Sequence, residues 1–441
     1  MQRDRYETYQ PITRATIEHL PIYRELSVEL RQHIKIVSTV FPFRTNRYVA
    51  EHLIDWSRVP DDPMYQLTFP QRGMLSDEDY LQLARLLRQG ASSHQIKTVA
   101  HEIQMRHNPH PAGQLKYNVP HVNGQPVPGL QHKYRETVLF FPSKGQTCHA
   151  YCSYCFRWAQ FIGVQDLKFA AREAEGLVAY LRQHPEVTDV LFTGGDPMVM
   201  NTRSVRQYME PLLAPDLAHV QSIRIGTKAL AYWPQRFVTD PDADDLLRFF
   251  EEIIADGRHV AIMGHYSHPR EMETSIAQEA IRRLRDVGCE IRMQAPIIRH
   301  VNDSATAWAA IWRRGVRLGM VPYYMFVSRD TGPKNYFEVP LAESVRIFRK
   351  AYSQVSGLGR TVRGPVMSAT PGKVHISGVT QVEGKRVFVL AFLQGRDPEW
   401  VGRPFFAEYD PEATWLFDLV PAFGASSFFF DPGTEYASSA S

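Results

Sequence analysis

The sequence predicts an α/β fold: a partial (β/α)6 TIM-type barrel with an N-terminal helical region and a C-terminal α+β extension. Three observations predict it. First, six short apolar runs, at 138–141, 190–193, 222–226, 259–263, 290–294 and 321–327, alternate with helical patterns at 168–182, 204–213, 242–255, 271–287 and 305–318. Strands alternating with helices imply a parallel sheet, and right-handed crossovers put every strand's C-terminal end on one rim. Second, six units are too few to close an eight-stranded barrel. Third, three of the four cysteines follow the first run directly, on the rim where α/β barrels carry chemistry.

The flanking regions read differently. Residues 1–130 are mostly helix and loop, 131–340 form the partial barrel, and 341–441 make the C-terminal extension. A helical apolar spacing runs over 26–37. Ser76 caps another helix, with Asp77, Glu78 and Asp79 in its first turn and Tyr80, Leu81, Leu83, Leu86 and Leu87 as its apolar face. Residues 108–128, rich in Pro, Gly, Asn and His, read as a long connection. After a helix at 341–354 come two strands, 373–379 and 386–393, joined through Glu383-Gly384 and expected to close over the barrel mouth. The tail at 436–441 reads as frayed.

Composition narrows the class. The 441 residues are 44% hydrophobic and 22% charged, which is ordinary globular usage. A net charge of +3 implies no nucleic-acid partner. The polar, acid-containing start is unlike a signal peptide. The apolar run at 387–393 is of strand length, so no membrane partner is expected. Four cysteines and no leader point to a reducing, cytoplasmic setting.

Cys148, Cys152 and Cys155 are spaced C-x3-C-x2-C. Three thiolates hold three irons of a [4Fe–4S] cluster and leave the fourth iron open to a chelating amine and carboxylate. The other cysteine, Cys289, is far along the chain. A zinc site would need a fourth ligand, and His149 inside the loop is poorly placed for it. The stretch resembles radical S-adenosylmethionine (SAM) enzymes. That resemblance puts Tyr154 against the adenine of S-adenosyl-L-methionine and gives the methionyl amine to Gly194, Gly195 and Asp196, which follow the second strand.

A narrower resemblance rests on the order of several segments. These are His132-Lys133-Tyr134, the cysteine loop, Leu191 to Asp196, Ile223 to Lys228, Trp233-Pro234-Gln235-Arg236, His265-Tyr266-Ser267-His268-Pro269, Arg299 to Ser304 and Pro322-Tyr323-Tyr324. They occur in the order of the lysine 2,3-aminomutase family, over about 65–395. The resemblance implies pyridoxal 5′-phosphate (PLP), with Lys373 of Pro371-Gly372-Lys373 as its Schiff-base lysine. It also implies Lys133 and Tyr134 near PLP, Gln294 on SAM and Arg157 on the substrate α-carboxylate. Thr137 stands where the family has a second phosphate-binding arginine. His265 and His268 are read as packed, hydrogen-bonded histidines rather than metal ligands.

Two departures bear on substrate. The family's lysine enzymes hold the distal ammonium with two aspartates. Here Arg329 occupies the first position, with Asp330 one residue beyond. The second falls on Ala369 or Val366. A cation repels an ammonium, so an acidic or neutral polar amino acid fits Arg329 better than lysine does. The expected activity is a PLP-dependent amino-acid 2,3-aminomutase, an isomerase. It would use a small-molecule amino-acid substrate and an electron donor such as flavodoxin or ferredoxin, and a homo-oligomer is compatible. The competing readings are a family member working without PLP or on a protein residue, and a non-catalytic iron–sulfur or zinc protein.

Overall fold

The computed structural model describes residues 8–109, 111–163 and 169–431. Eleven strands form one mixed sheet whose spatial order follows the chain. They are β1 (Leu130–Tyr134), β2 (Thr137–Phe140), β3 (Asp189–Phe192), β4 (Ser222–Thr227), β5 (His259–His265), β6 (Glu290–Ile297), β7 (Val321–Val327), β8 (Arg363–Ser368), β9 (Gly372–Val382), β10 (Lys385–Gly395) and β11 (Pro404–Glu408). Strands β2 to β8 are parallel to one another; β1 pairs antiparallel with β2, and β9 to β11 continue antiparallel from β8. The expected six strands are thus joined by a seventh parallel one. Gly364 and Pro365 hide β8 in the sequence, because both residues read as strand breakers.

The crossover helices include α4 (Glu175–Gln183), α5 (Thr202–Met209), α6 (Ala243–Ala255), α7 (Ser275–Asp286) and α8 (Ala305–Arg317). They form where apolar residues recur on one face. In α7, Ile276, Ala277, Ala280, Ile281 and Leu284 are buried, and Thr274 caps the start by accepting from the Ala277 amide at 3.2 Å. The strands alternate: in β4 and β6 every second residue is fully buried beneath these helices. The others face inward, and Arg224, Gly226, Gln294 and Pro296 line a cavity at the strand ends. The helix expected from 168 starts at Glu175, and residue 168 lies outside the described residues, as do the polar start and the tail at 436–441.

In the N-terminal region lie helices α1 (Val28–Val37), α2 (Asp77–Arg88) and α3 (Ser93–Arg106). Ser76 caps the second as expected, accepting from Asp79 N at 3.1 Å. Leu81, assigned to the apolar face, is instead 56% exposed; the inward stripe runs through Tyr80 and Leu83. These helices share one hydrophobic core with the parallel strands, and a second, smaller cluster underlies β9 to β11.

The C-terminal piece continues the sheet edge to edge. The sheet curls far enough for its first strand to meet the turn between β8 and β9. Lys133 Nζ donates to the Ala369 carbonyl, and Arg396 Nη2 donates to Asn118 Oδ1 at 2.6 Å. Among the described residues no helix is long and apolar enough to cross a membrane.

Candidate active site

At the C-terminal ends of the parallel strands lies a cavity of about 320 Å³. Its lining includes every residue singled out from the sequence as a site: the three cysteines, Tyr154, Gly194, Gly195, Asp196, Gln294, Lys133, Tyr134, Lys373, Arg157 and Arg329.

The cysteine loop leaves β2 and is held from outside by the N-terminal region. Tyr151 N donates to Arg44 O at 2.7 Å, Ser153 N to Leu67 O at 2.8 Å, and Arg44 Nη1 to Thr147 Oγ1 at 2.7 Å. Burial pushes all three thiols up, Cys155 to about 12, and for Cys148 and Cys155 the neighbouring cysteines add to it. Arg44, Lys228 and Arg157 each offset one thiolate in part but do not outweigh burial, whereas coordinated iron does. Three soft donors on one half-buried loop therefore fit an iron–sulfur cluster. Cys289, which is fully buried, does not line the cavity. Among the described residues no three His, Cys, Asp or Glu side chains form a single-ion site, and His149 turns its Nε2 to Asp196 Oδ2 at 3.0 Å.

In the turn after β3, the Asp196 carboxylate is hydrogen-bonded on both oxygens within the protein. Its Oδ1 accepts from Met198 N (2.9 Å) and Thr227 Oγ1 (2.7 Å), and its Oδ2 from Lys228 N (2.8 Å) and His149 Nε2 (3.0 Å). Burial alone would raise this carboxyl; His149, Thr227 and the Lys228 amide outweigh it and hold it below the usual range. Gly194 takes φ +147°, and a Cβ there would overlap Gln146; one on Gly195 would overlap the Thr147 backbone. The two glycines let the cysteine loop lie on the strand end.

On the far side, Lys373 Nζ donates to Gln394 Oε1 at 2.6 Å and lies 5.4 and 5.0 Å from the ring centroids of Tyr134 and Tyr324. Burial, then the charges of Arg224 and Arg363, lower this amine to about 7. A partly neutral amine between aromatic rings fits a carbonyl cofactor. Burial also drives Lys133 well below its ordinary value. Gln294 Nε2 lies 3.0 Å from His265 Nε2, and His268 Nδ1 accepts from Arg270 N at 3.2 Å, so both histidines are packed and hydrogen-bonded. Burial lowers each to about 4.

Arg157 lies over Phe141 (4.4 Å) and Phe156 (5.1 Å), and Arg329 lies over the same Phe156 ring (5.2 Å). Burial lowers both guanidiniums, Arg157 to about 10, and Arg329 contributes to that shift. Asp330 does not line the cavity, nor do Val366 and Ala369; Ser368 does. The sequence reading gave no role to Arg224, Lys228, Gln394 or Asn118, which also line it. The alternation of β4 could have found Arg224, which pairs with Asp189 through Nε at 2.7 Å; Thr137 donates to the same carboxylate at 2.8 Å.

A parallel sheet whose first crossover opens with a C-x3-C-x2-C loop is the arrangement of radical SAM proteins. No family model matches the chain. The putative L-lysine 2,3-aminomutase of Aquifex aeolicus (strain VF5) is 30% identical over 401 residues, 91% of this chain and 94% of that one. The L-lysine 2,3-aminomutase of Bacillus subtilis (strain 168) is 29% identical over 232 residues, 53% of this chain and 46% of that relative, so about half of its length is matched. Among solved structures, a radical SAM methyltransferase from Sphaerobacter thermophilus is similar at 15% identity and a TM-score of 0.35, over 54% of this chain and 68% of that one. The chain belongs to the lysine 2,3-aminomutase family of radical SAM enzymes, as a divergent member.

Proposed function

We propose that the protein is a radical SAM, PLP-dependent amino-acid 2,3-aminomutase whose substrate is an acidic or neutral polar amino acid rather than lysine. The observation that carries this reading is the charge of the cavity. Six basic side chains line it (Lys133, Arg157, Arg224, Lys228, Arg329 and Lys373) against one carboxylate, Asp196. Arg224 and Lys228 are paired, with Asp189 and Glu271. Among the described residues the other four have no acid within salt-bridge reach, so the site calls for anions.

A cluster on Cys148, Cys152 and Cys155 would supply the electron that cleaves SAM, and PLP on Lys373 would supply the π-system that stabilises a substrate radical. The chain's own groups bind and orient. Tyr154 donates or accepts at Ser267 Oγ (3.1 Å), which fixes its ring beside the cysteine loop. Arg157 suits an α-carboxylate bidentately, and Arg329, across Phe156, suits a distal carboxylate or carbonyl. Lys133, with Arg224 in place of the arginine missing at Thr137, suits a phosphate. We read the curled sheet as an open barrel that shields this site from water. An external one-electron donor such as flavodoxin or ferredoxin and a cytoplasmic setting belong to the same reading.

The test is to supply reduced protein, SAM and PLP with single amino acids and to look for 5′-deoxyadenosine and β-amino products. Glutamate-like chains are expected to outperform lysine. Arg329→Ala should weaken their binding about ten- to a hundredfold, the loss of a charge-assisted contact worth roughly 1.5–3 kcal/mol. Efficient turnover of lysine, undiminished in Arg329→Ala, would overturn the substrate assignment. Deoxyadenosine without any β-amino product, and no PLP absorbance, would point to a member working without PLP.

A further inference from the structure

The Asp196 carboxylate has no acceptor site left for a ligand. Its side chain is 4% exposed, and its oxygens receive four different donors from three places in the fold. His149 comes from the cysteine loop, Met198 from the turn after β3, and Thr227 and Lys228 from the end of β4. A carboxylate offers about four lone-pair sites, so an incoming ammonium would have to displace one of these donors.

His149 is fixed equally firmly. It sits between Cys148 and Cys152, its side chain 1% exposed. Its carbonyl accepts from Tyr9 Oη at 2.8 Å and Asn46 Nδ2 at 3.4 Å. The rings of Tyr232 and Trp233 flank it at 6.3 and 6.0 Å. With Nε2 donating to Asp196, its buried Nδ1 is left without a partner, although the residue lines the cavity.

We propose that His149 and Asp196 are positioning residues: a strut that ties the cysteine loop to the ends of β3 and β4 and sets where the three thiolates stand. The methionyl amine of SAM is then held by groups other than this carboxylate. The inference rests on the cluster and SAM reading given above. A polar contact one layer behind metal ligands typically controls metal affinity by about 10- to 100-fold, which sets the expected effect.

The experiment reconstitutes wild type, His149→Leu, His149→Gln and Asp196→Asn with iron and sulfide. It measures iron per chain, the electron paramagnetic resonance spectrum of the reduced cluster, and SAM affinity by calorimetry normalised to loaded protein. His149→Leu should bind the cluster about 10- to 100-fold more weakly and alter the spectrum, with SAM affinity of the loaded fraction unchanged. His149→Gln, whose amide can reach Asp196 in place of Nε2, should restore both. If His149→Leu does not fold, the Gln variant decides: a wild-type spectrum supports the strut, and an altered one overturns it. Asp196→Asn that keeps iron and spectrum but loses SAM affinity tenfold or more would make Asp196 a SAM ligand and end the proposal. A wild-type chain that takes up no iron would overturn the cofactor reading and this inference together. An unaffected His149→Leu in a chain that does load iron would overturn the strut alone.

Discussion

At the scale of the residue, Lys373 and Cys289 give opposite lessons about chemical availability. The Lys373 amine is lowered to about 7, first by burial and then by Arg224 and Arg363. Below that pH the proton occupies the lone pair; above it the amine is free to attack an aldehyde. Covalent loading with PLP, fixed by borohydride and counted per chain, should therefore rise through about pH 7 and level off. An exposed lysine would still be climbing near its ordinary value of about 10.4. Lys373→Ala should show no such labelling. A profile that keeps rising to pH 10 would mean the labelled amine is another one. Cys289 is as buried as a core residue, 4% exposed, but stands away from the cavity. Changing Cys148, Cys152 or Cys155 to Ala should abolish SAM cleavage, and Cys289→Ala should keep it. Loss of iron from Cys289→Ala alone would refute the three-ligand assignment.

At the scale of the element, the loop from 146 to 155 is shaped by what it leans on. Gly195 faces the Thr147 backbone so closely that a Cβ would have to move main chain rather than a flexible side chain. Gly195→Ala is expected to destabilise by about 1–3 kcal/mol, the usual cost of overpacking, and to lower iron content along with the melting temperature. Gly378, in β9, has open space where its Cβ would go. Gly378→Ala should stay within roughly ±0.5 kcal/mol in the same melting assay. Equal effects of the two substitutions would show that the loop does not rest on that turn. The sequence exposed the Gly-Gly-acid pattern but not the surface it presses against, because residues 146–147 and 194–195 meet only once β2 and β3 pair.

At the scale of the whole molecule, distant segments complete the site. Arg44, Leu67 and Tyr9 hold the cysteine loop from the N-terminal side. Arg396 ties the segment before β1 to the β8–β9 turn through Asn118 Oδ1 (2.6 Å) and the Thr370 carbonyl (2.9 Å, from Nε). Arg396→Ala should loosen the segment carrying Lys373. Hydrogen exchange of amides at 369–374 is expected to speed up, and stability to fall by about 1 kcal/mol, a value kept low because Arg396 is half-buried and solvent-screened. Unchanged exchange there would mean that the pairing of β8, β9 and β10 alone holds Lys373 in place.

The sequence by itself determined what is local in chain order: the strand–helix alternation, the C-x3-C-x2-C spacing, the cap at Ser76, and the residues now found around one cavity. Each depends on spacing within one segment or on order along the chain, and both survive without coordinates. Tertiary structure decided the rest. Curling brings β1 against the β8–β9 turn, so Lys133 meets Ala369 across more than two hundred residues. It turned Asp196 inward, because His149 arrives from the loop after β2 and Thr227 and Lys228 from the end of β4. It also placed Arg329, not Asp330, in the cavity, a choice between adjacent residues that only backbone direction can make. Side-chain direction, and the pairing of groups from different strands, have no signature in a linear pattern until the sheet fixes both.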